Sequence, residues 1–209
     1  MEPEDTVSIR EINHSSSAEL ERVFAIYQEA IPVSEQKNFE AVQAMVLNPD
    51  YRFLVATNDR AIVGFAVAKA LESKLSLLEY MAVDIKLRGG GVGGQLFEHV
   101  KGHIAGDAIL LLEVDAVSGT DAALAERRRA FYERHGCRTV DALEYILPLG
   151  RYPPPMRLML FTHAMPEQVS WKTVRAWLTA IYTQVYAVAG DDLRIAEMLK
   201  GKHGHANII

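Results

Sequence analysis

The sequence predicts a mixed α/β domain, α+β in its segregation, and three observations carry that prediction. Two apolar, β-rich runs at 51–57 and 61–70 are joined by Asn58-Asp59-Arg60, the pattern of a hairpin. A third run, 75–84, leads straight into a glycine loop that opens a helix. A run at 109–114 reads as a fully apolar strand buried on both faces.

The remaining elements follow in order. Val7 and Ile9 mark a short first strand over 6–12. Ser15-Ser16-Ser17 offer N-caps, Glu19 sits in the first turn, and Leu20, Val23, Phe24 and Tyr27 recur at helical spacing until Pro32. Ser34 is the expected cap of a second helix, with Phe39, Val42, Met45 and Val46 on its apolar side and Asn48-Pro49 at its end. In 75–84 the residues Leu75, Leu77, Glu79, Met81 and Val83 share one face by period two. Leu96, Val100 and Ile104 return to helical spacing. A helix over 120–135 ends at Gly136, and two short strands, near Tyr145 and over 156–161, close the compact part. Val174, Leu178, Ile181, Val185 and Val188 then predict one long amphipathic helix within 166–199. The expected organisation is a domain over 1–162 and a helical extension over 163–209. That extension packs on the domain or forms a homodimer interface.

Composition excludes several classes. Of the 209 residues 49% are hydrophobic, enough to bury a core and to argue against disorder. The formal net charge of -5 disfavours nucleic acid as a partner, because phosphate contacts need a dense cationic surface. Arg127-Arg128-Arg129, flanked by Glu126 and Glu133, reads as a solvated helix face. The single cysteine, Cys137, permits no internal disulfide and is expected as a small packed residue. The acidic start, Met1-Glu2-Pro3-Glu4-Asp5, does not look like a signal peptide, and no apolar run approaches the ~20 residues of a membrane span. A cytoplasmic location without membrane contact is the expectation. His99 and His103 are spaced as metal ligands can be, but no third ligand accompanies them, so no metal is expected.

The informative stretch is Arg88-Gly89-Gly90-Gly91-Val92-Gly93-Gly94. A strand running into glycines that open a helix makes an anion site. The first helical N–H groups lack internal partners, the helix dipole adds partial positive charge, and glycine lets a phosphate approach the backbone. A dinucleotide fingerprint would come early in a βαβ unit, whereas this loop follows a hairpin. A P-loop would need Gly-Lys-Ser/Thr, and Gly94-Gln95 does not supply it. The pattern Gln/Arg-x-x-Gly-x-Gly/Ala is satisfied by Arg88, Gly91 and Gly93.

That pattern after Ala82-Val83-Asp84, with Phe131-Tyr132-Glu133-Arg134-His135-Gly136-Cys137 downstream, resembles the GCN5-related N-acetyltransferase (GNAT) superfamily over about residues 6 to 162. The resemblance implies a mixed, mostly antiparallel sheet splayed between its fourth and fifth strands, with acetyl-CoA as acyl donor. The pantetheine arm would bond the backbone at Met81, Ala82 and Val83. The pyrophosphate would lie on Arg88, Gly89, Gly90, Gly91, Val92, Gly93 and Gly94. An amine acceptor arrives mostly protonated near neutral pH and must lose a proton before attack. Glu79, an acid set among apolar residues, is the candidate base, acting directly or through water. Tyr132 is the candidate acid for the leaving thiolate.

The match departs from the family pattern at Ala125, where an Asn is usual, at Arg128, where an Ala is usual, and at Cys137, where an aromatic is common. Arg151 and Tyr152, among four prolines, are candidates for a wall of the acceptor site. The expected function is acetyl transfer to a primary amine, and the chain's acidity suits a cationic small molecule. A CoA-binding regulatory module without turnover, a protein N-acetyltransferase and a longer acyl donor are the alternatives.

Overall fold

The computed structural model describes residues 7–13, 17–59, 61–117, 122–150 and 153–209. The cap candidates Ser15 and Ser16, the hairpin residue Arg60, the start of the 120–135 helix and the wall candidates Arg151 and Tyr152 lie outside them. The chain divides into two compact units, Met1–Ala70 with Leu78–Ile104, and Leu71–Leu77 with Ala105–Ile209. The division falls within two strands, 61–72 and 75–83.

In the first unit β1 (Ser8–Glu11), β2 (Tyr51–Asn58), β3 (Ala61–Glu72) and the end of β4 (Leu75–Val83) follow one another in the sheet. β1 and β2 pair antiparallel, Ile9 opposite Ala56. β2 and β3 also pair antiparallel, Leu54 opposite Ala66, with a register shift between Ala56 and Thr57. α1 (Ser17–Ala30) and α2 (Phe39–Leu47) cover one face. Leu20, Val23 and Tyr27 from α1, with Val42, Met45 and Val46 from α2, meet Phe53, Val55, Phe65 and Val67 of the sheet. Phe53 and Phe65 stack with centroids 6.1 Å apart.

The cap of α2 is Asn38, whose side chain accepts from Ala41 N at 2.9 Å, and not Ser34. Val33–Glu35 instead forms a 3₁₀ turn. Gln36 fixes this segment by donating from its side chain to the carbonyls of Gln28 and Ile31. That local bonding moves the helix start four residues beyond the first available hydroxyl. α3 (Val92–Gly102) completes the unit, with Val92, Leu96, Phe97 and Val100 on its buried side. Gly64 of β3 lies where any side chain would collide. A Cβ there would stand 2.9 Å from Ala82 O and 3.0 Å from Leu96 Cδ1.

In the second unit the start of β4 lies parallel beside β5 (Ile109–Asp115), and Ile109 N donates to Lys74 O at 2.9 Å. β5 pairs antiparallel with β8 (Pro155–Phe161), Leu112 opposite Met159. β6 (Arg138–Thr139) and β7 (Tyr145–Ile146) also pair with β8. α4 (Ala122–Arg134) precedes β6. The resulting fold is the expected mixed α/β fold, with a mostly antiparallel sheet and one parallel pair.

The predicted single helix over 166–199 is two helices. α5 (Trp171–Gln184) is capped by Ser170, which accepts from Thr173 N at 3.0 Å. Val174, Leu178 and Ile181 lie on its buried side, as their spacing predicts. The helix ends where Val188 N turns back to Tyr182 O at 2.9 Å and Ala187 takes a φ of 54°. A short helix, α6 (Leu193–Met198), follows. The terminal segment also carries two strands that periodicity did not announce. β9 (Gln168–Ser170) pairs antiparallel with β10 (His205–Asn207), Val169 opposite Ala206. Thr139 and Ile209 then exchange backbone hydrogen bonds of 2.7 and 3.0 Å. Trp177, Leu178 and Ile181 share one core with Leu111, Leu158 and Leu160. Among the described residues no helix is long and apolar enough to cross a membrane.

Leu178 is fully buried. Leu178→Ala should therefore destabilise the chain by about 2–5 kcal/mol in urea denaturation. Arg175→Ala, on the exposed side of the same helix, should stay within about 0.5 kcal/mol of the parent.

Candidate functional site

The first unit holds β4's last residues and the glycine loop, and one buried acid anchors both. Asp84 N donates to Val63 O at 2.8 Å. Its carboxylate accepts from Lys86 N at 2.9 Å and forms an ion pair with Arg22. Arg22 Nε also donates to Ile62 O at 3.0 Å, so one side chain of α1 ties β3 to the end of β4. The Lys86 backbone N–H and then Arg22 hold the Asp84 carboxyl below its ordinary value.

A 3₁₀ turn over Ile85–Leu87 follows, and Arg88 Nε donates to Val83 O at 3.3 Å. Gly89 and Gly91 have φ of +90° and +83°. A Cβ would meet nothing within 4 Å at either, so the requirement for glycine is torsional, not steric. Gly91 is the N-cap of α3 and has no side chain with which to cap it. The first helical bond runs from Gln95 N to Gly91 O at 3.1 Å. The helix therefore supplies no carbonyl to the N–H groups of Val92, Gly93 and Gly94. Residues 85–91 are exposed, while Val92 and Leu96 behind them are buried and fix the helix start. Such a loop offers an anion donors and no competing acceptor side chain, which fits a pyrophosphate.

Glu79 lies on β4 with its side chain 4% exposed. Lys37 Nζ stands 3.2 Å from its Oε1, yet neither carboxylate oxygen has a hydrogen-bond partner among the described residues. Burial, and next the Glu79 charge, push the Tyr51 and Tyr80 phenols well up. Tyr27 meets Tyr80 edge to face at 5.0 Å, and its hydroxyl accepts from Lys37 N at 2.7 Å. Sequence reading missed Lys37. It lies between two helices, where no periodicity assigns it a face. Met81 and Val83 are half-buried and Ala82 is buried, and they share β4 with Glu79, upstream of the loop.

The other candidates belong to the second unit. Tyr132 on α4 is 8% exposed, lies edge to face with Phe131 at 5.1 Å, and is pushed up by burial. Its carbonyl accepts from Cys137 N at 3.0 Å, and Cys137 is fully buried, as expected of a packed residue. Arg128 pairs with Asp115, and Ala125 is buried. Arg129 bridges Glu126 and Glu133.

β5 is not fully apolar. Glu113 accepts hydrogen bonds from the hydroxyls of Tyr145 and Tyr186, the latter at 2.7 Å. Burial and the Glu113 charge drive the Tyr145 phenol well up. The signal was present as one acid inside Ile109–Asp115. The phenols that hold it come from distant parts of the sequence. His99 and His103 stack edge to face at 5.2 Å on an exposed part of the first unit. No group of three or more metal-ligating side chains occurs among the described residues.

Comparison with known proteins agrees with this geometry. Residues 49–137 match the family model described as acetyltransferase (GNAT) domain. No curated protein matches the sequence. A protein described as a GNAT-family acetyltransferase from Bacteroides thetaiotaomicron superposes with a TM-score of 0.70 at 22% identity, covering 87% of this chain and 99% of that one. The ribosomal-protein-S18-alanine N-acetyltransferase of Escherichia coli gives 0.56 at 21%, covering 77% and 96%. An aminoglycoside 6'-N-acetyltransferase complexed with coenzyme A gives 0.60 at 20%, covering 76% and 98%. The fold is shared with these GNAT structures, and residues 49–137 are similar to the GNAT acetyltransferase domain.

A carboxyl held below its ordinary value stabilises the fold at pH above the ordinary carboxylate range and loses that contribution as pH falls through the folded value. Asp84→Asn should therefore lower the urea midpoint clearly at pH 7. The gap from the parent should narrow progressively below about pH 4.

Proposed function

We propose that this chain transfers an acetyl group from acetyl-CoA to a primary amine on a small molecule, by direct attack of the amine on the thioester. The carrying observation is the uncapped helix start at Gly91–Gly94, set directly after a strand that bears the buried Glu79. The N–H groups of the 88–94 loop hold the pyrophosphate. The backbone of Met81, Ala82 and Val83 bonds the pantetheine arm, and an N–H there polarises the thioester carbonyl. Glu79 takes the proton of the acceptor amine, directly or through water. Tyr132, kept protonated by burial, returns a proton to the leaving thiolate. The acyl-CoA-dependent class is supported by the GNAT domain and by a similar structure complexed with coenzyme A. The similar structures span an aminoglycoside and a protein acceptor, and the net charge of -5 favours a small cation.

The Lys37 ammonium on Glu79 favours one second reading, a CoA-binding module without turnover in which that acid is structural. A panel of small amines, followed by free thiol release from acetyl-CoA, separates the two. Release above background with at least one amine supports the enzyme. None with any amine, despite CoA binding, supports the module.

Gly91→Glu should abolish CoA binding in calorimetry, through charge repulsion at the loop and strain at φ +83°. Micromolar affinity in that variant would contradict the pyrophosphate assignment. Tyr132→Phe should lower kcat by about a hundredfold with little change in the acetyl-CoA KM. Equal rates would remove Tyr132 from the reaction.

A further inference from the structure

Lys37 faces a more deeply buried acid than the acids paired with Lys74 and Lys101. Its partner Glu79 is 4% exposed, whereas the acids paired with Lys74 and Lys101 are 70% and 55% exposed. A buried carboxylate in a purely structural pair is ordinarily saturated with hydrogen bonds, because leaving its oxygens unbonded is costly. Both oxygens of Glu79 are buried and have no hydrogen-bond partner among the described residues. The group beside them is a primary amine, the chemical class that the reaction consumes.

The amine is also held in place. The backbone N–H of Lys37 donates to the buried Tyr27 hydroxyl at 2.7 Å, and the next residue, Asn38, caps α2. The Lys37 ammonium lies 6.0 Å from the centroid of Tyr80, one residue beyond Glu79 on β4. The proposed pantetheine contacts begin at Met81, two residues along the same strand, or about 7 Å at the ordinary strand rise. A tethered nucleophile fixed beside its base gains the large advantage of an intramolecular reaction.

We propose that Lys37 is a self-acetylation site, the built-in acceptor of this chain's own acyl-transfer centre. The inference rests on the function proposed above, with acetyl-CoA as donor. Lys37 passes one proton from its ammonium to Glu79. The neutral nitrogen attacks the thioester carbonyl carbon. A C–N bond forms and the C–S bond breaks. The second amine proton neutralises the thiolate, so the products are Nε-acetyl-Lys37, CoA as the free thiol, and one proton released through Glu79. The modified side chain carries no charge and leaves Glu79 without its ammonium neighbour. Acetylation thereby alters the same acid that the acceptor amine would use.

The test is incubation of the full chain with acetyl-CoA near neutral pH, followed by peptide mass mapping. Lys74, which is 66% exposed, serves as the control for uncatalysed acetylation. Acetylation at Lys37 should outrun that at Lys74, with a first-order rate independent of protein concentration. Glu79→Gln should slow modification of Lys37 by about a hundredfold without changing Lys74. Lys37→Arg should remain folded by circular dichroism and lose the modification at that position. The proposal is overturned if CoA binds in calorimetry while Lys37 stays unmodified, or if Lys37 is modified no faster than Lys74. Failure to bind CoA at all would overturn the proposed function together with this inference.

Discussion

The tie between Asp84 and the strands around it is the constraint on which the rest of the first unit depends. A helix start with bare N–H groups binds an anion only if those groups point to a fixed place. Here the Asp84 main chain is bonded to Val63, and its carboxylate to Lys86 N and Arg22. The strand, the 3₁₀ turn and the glycines are thereby held in one geometry before α3 begins. Gly64 contributes from the neighbouring strand. It lets the backbone of β3 come close to Ala82 and to Leu96 at once, with no space for even a methyl group. Arg22 itself is half exposed, so its attraction to Asp84 is screened and the backbone bonds carry more of the anchoring.

Each unit also contains a buried or half-buried acid with a different kind of company. Glu79 faces an ammonium and the phenols of Tyr51 and Tyr80. Glu113 is held by the hydroxyls of Tyr145 and Tyr186. The long phenol-bearing reach to Glu113 comes from β7 and from the turn after α5, which gives the terminal segment a polar contact in addition to its apolar one.

Legibility in the sequence varied with the range of the interaction. β2, β3, β4 and β5 stand within two residues of their expected bounds, because alternation and β-branched content are local. The loop was readable for the same reason, since positive φ at Gly89 and Gly91 is a property of the residues themselves. The cap of α2 is Asn38, four residues beyond the expected Ser34, because Val33–Glu35 forms a 3₁₀ turn before the helix. The C-terminal helix was drawn too long. Val185 and Val188 keep the apolar spacing, but the chain turns back at Tyr182 and the heptad-like pattern continues outside a helix.

The sequence by itself determined the order of elements from β1 to β5, the glycine loop with its helix start, and the GNAT resemblance. All of these rest on neighbours a few residues apart. Only the tertiary structure decided that Lys37 faces Glu79, that Tyr145 and Tyr186 hold Glu113, and that β9 and β10 pair across the terminal segment. The physical reason is that a charge or a hydroxyl has no periodic signature. Its partner is chosen by which buried group would otherwise go unsatisfied, and that is settled by packing between residues far apart in the chain.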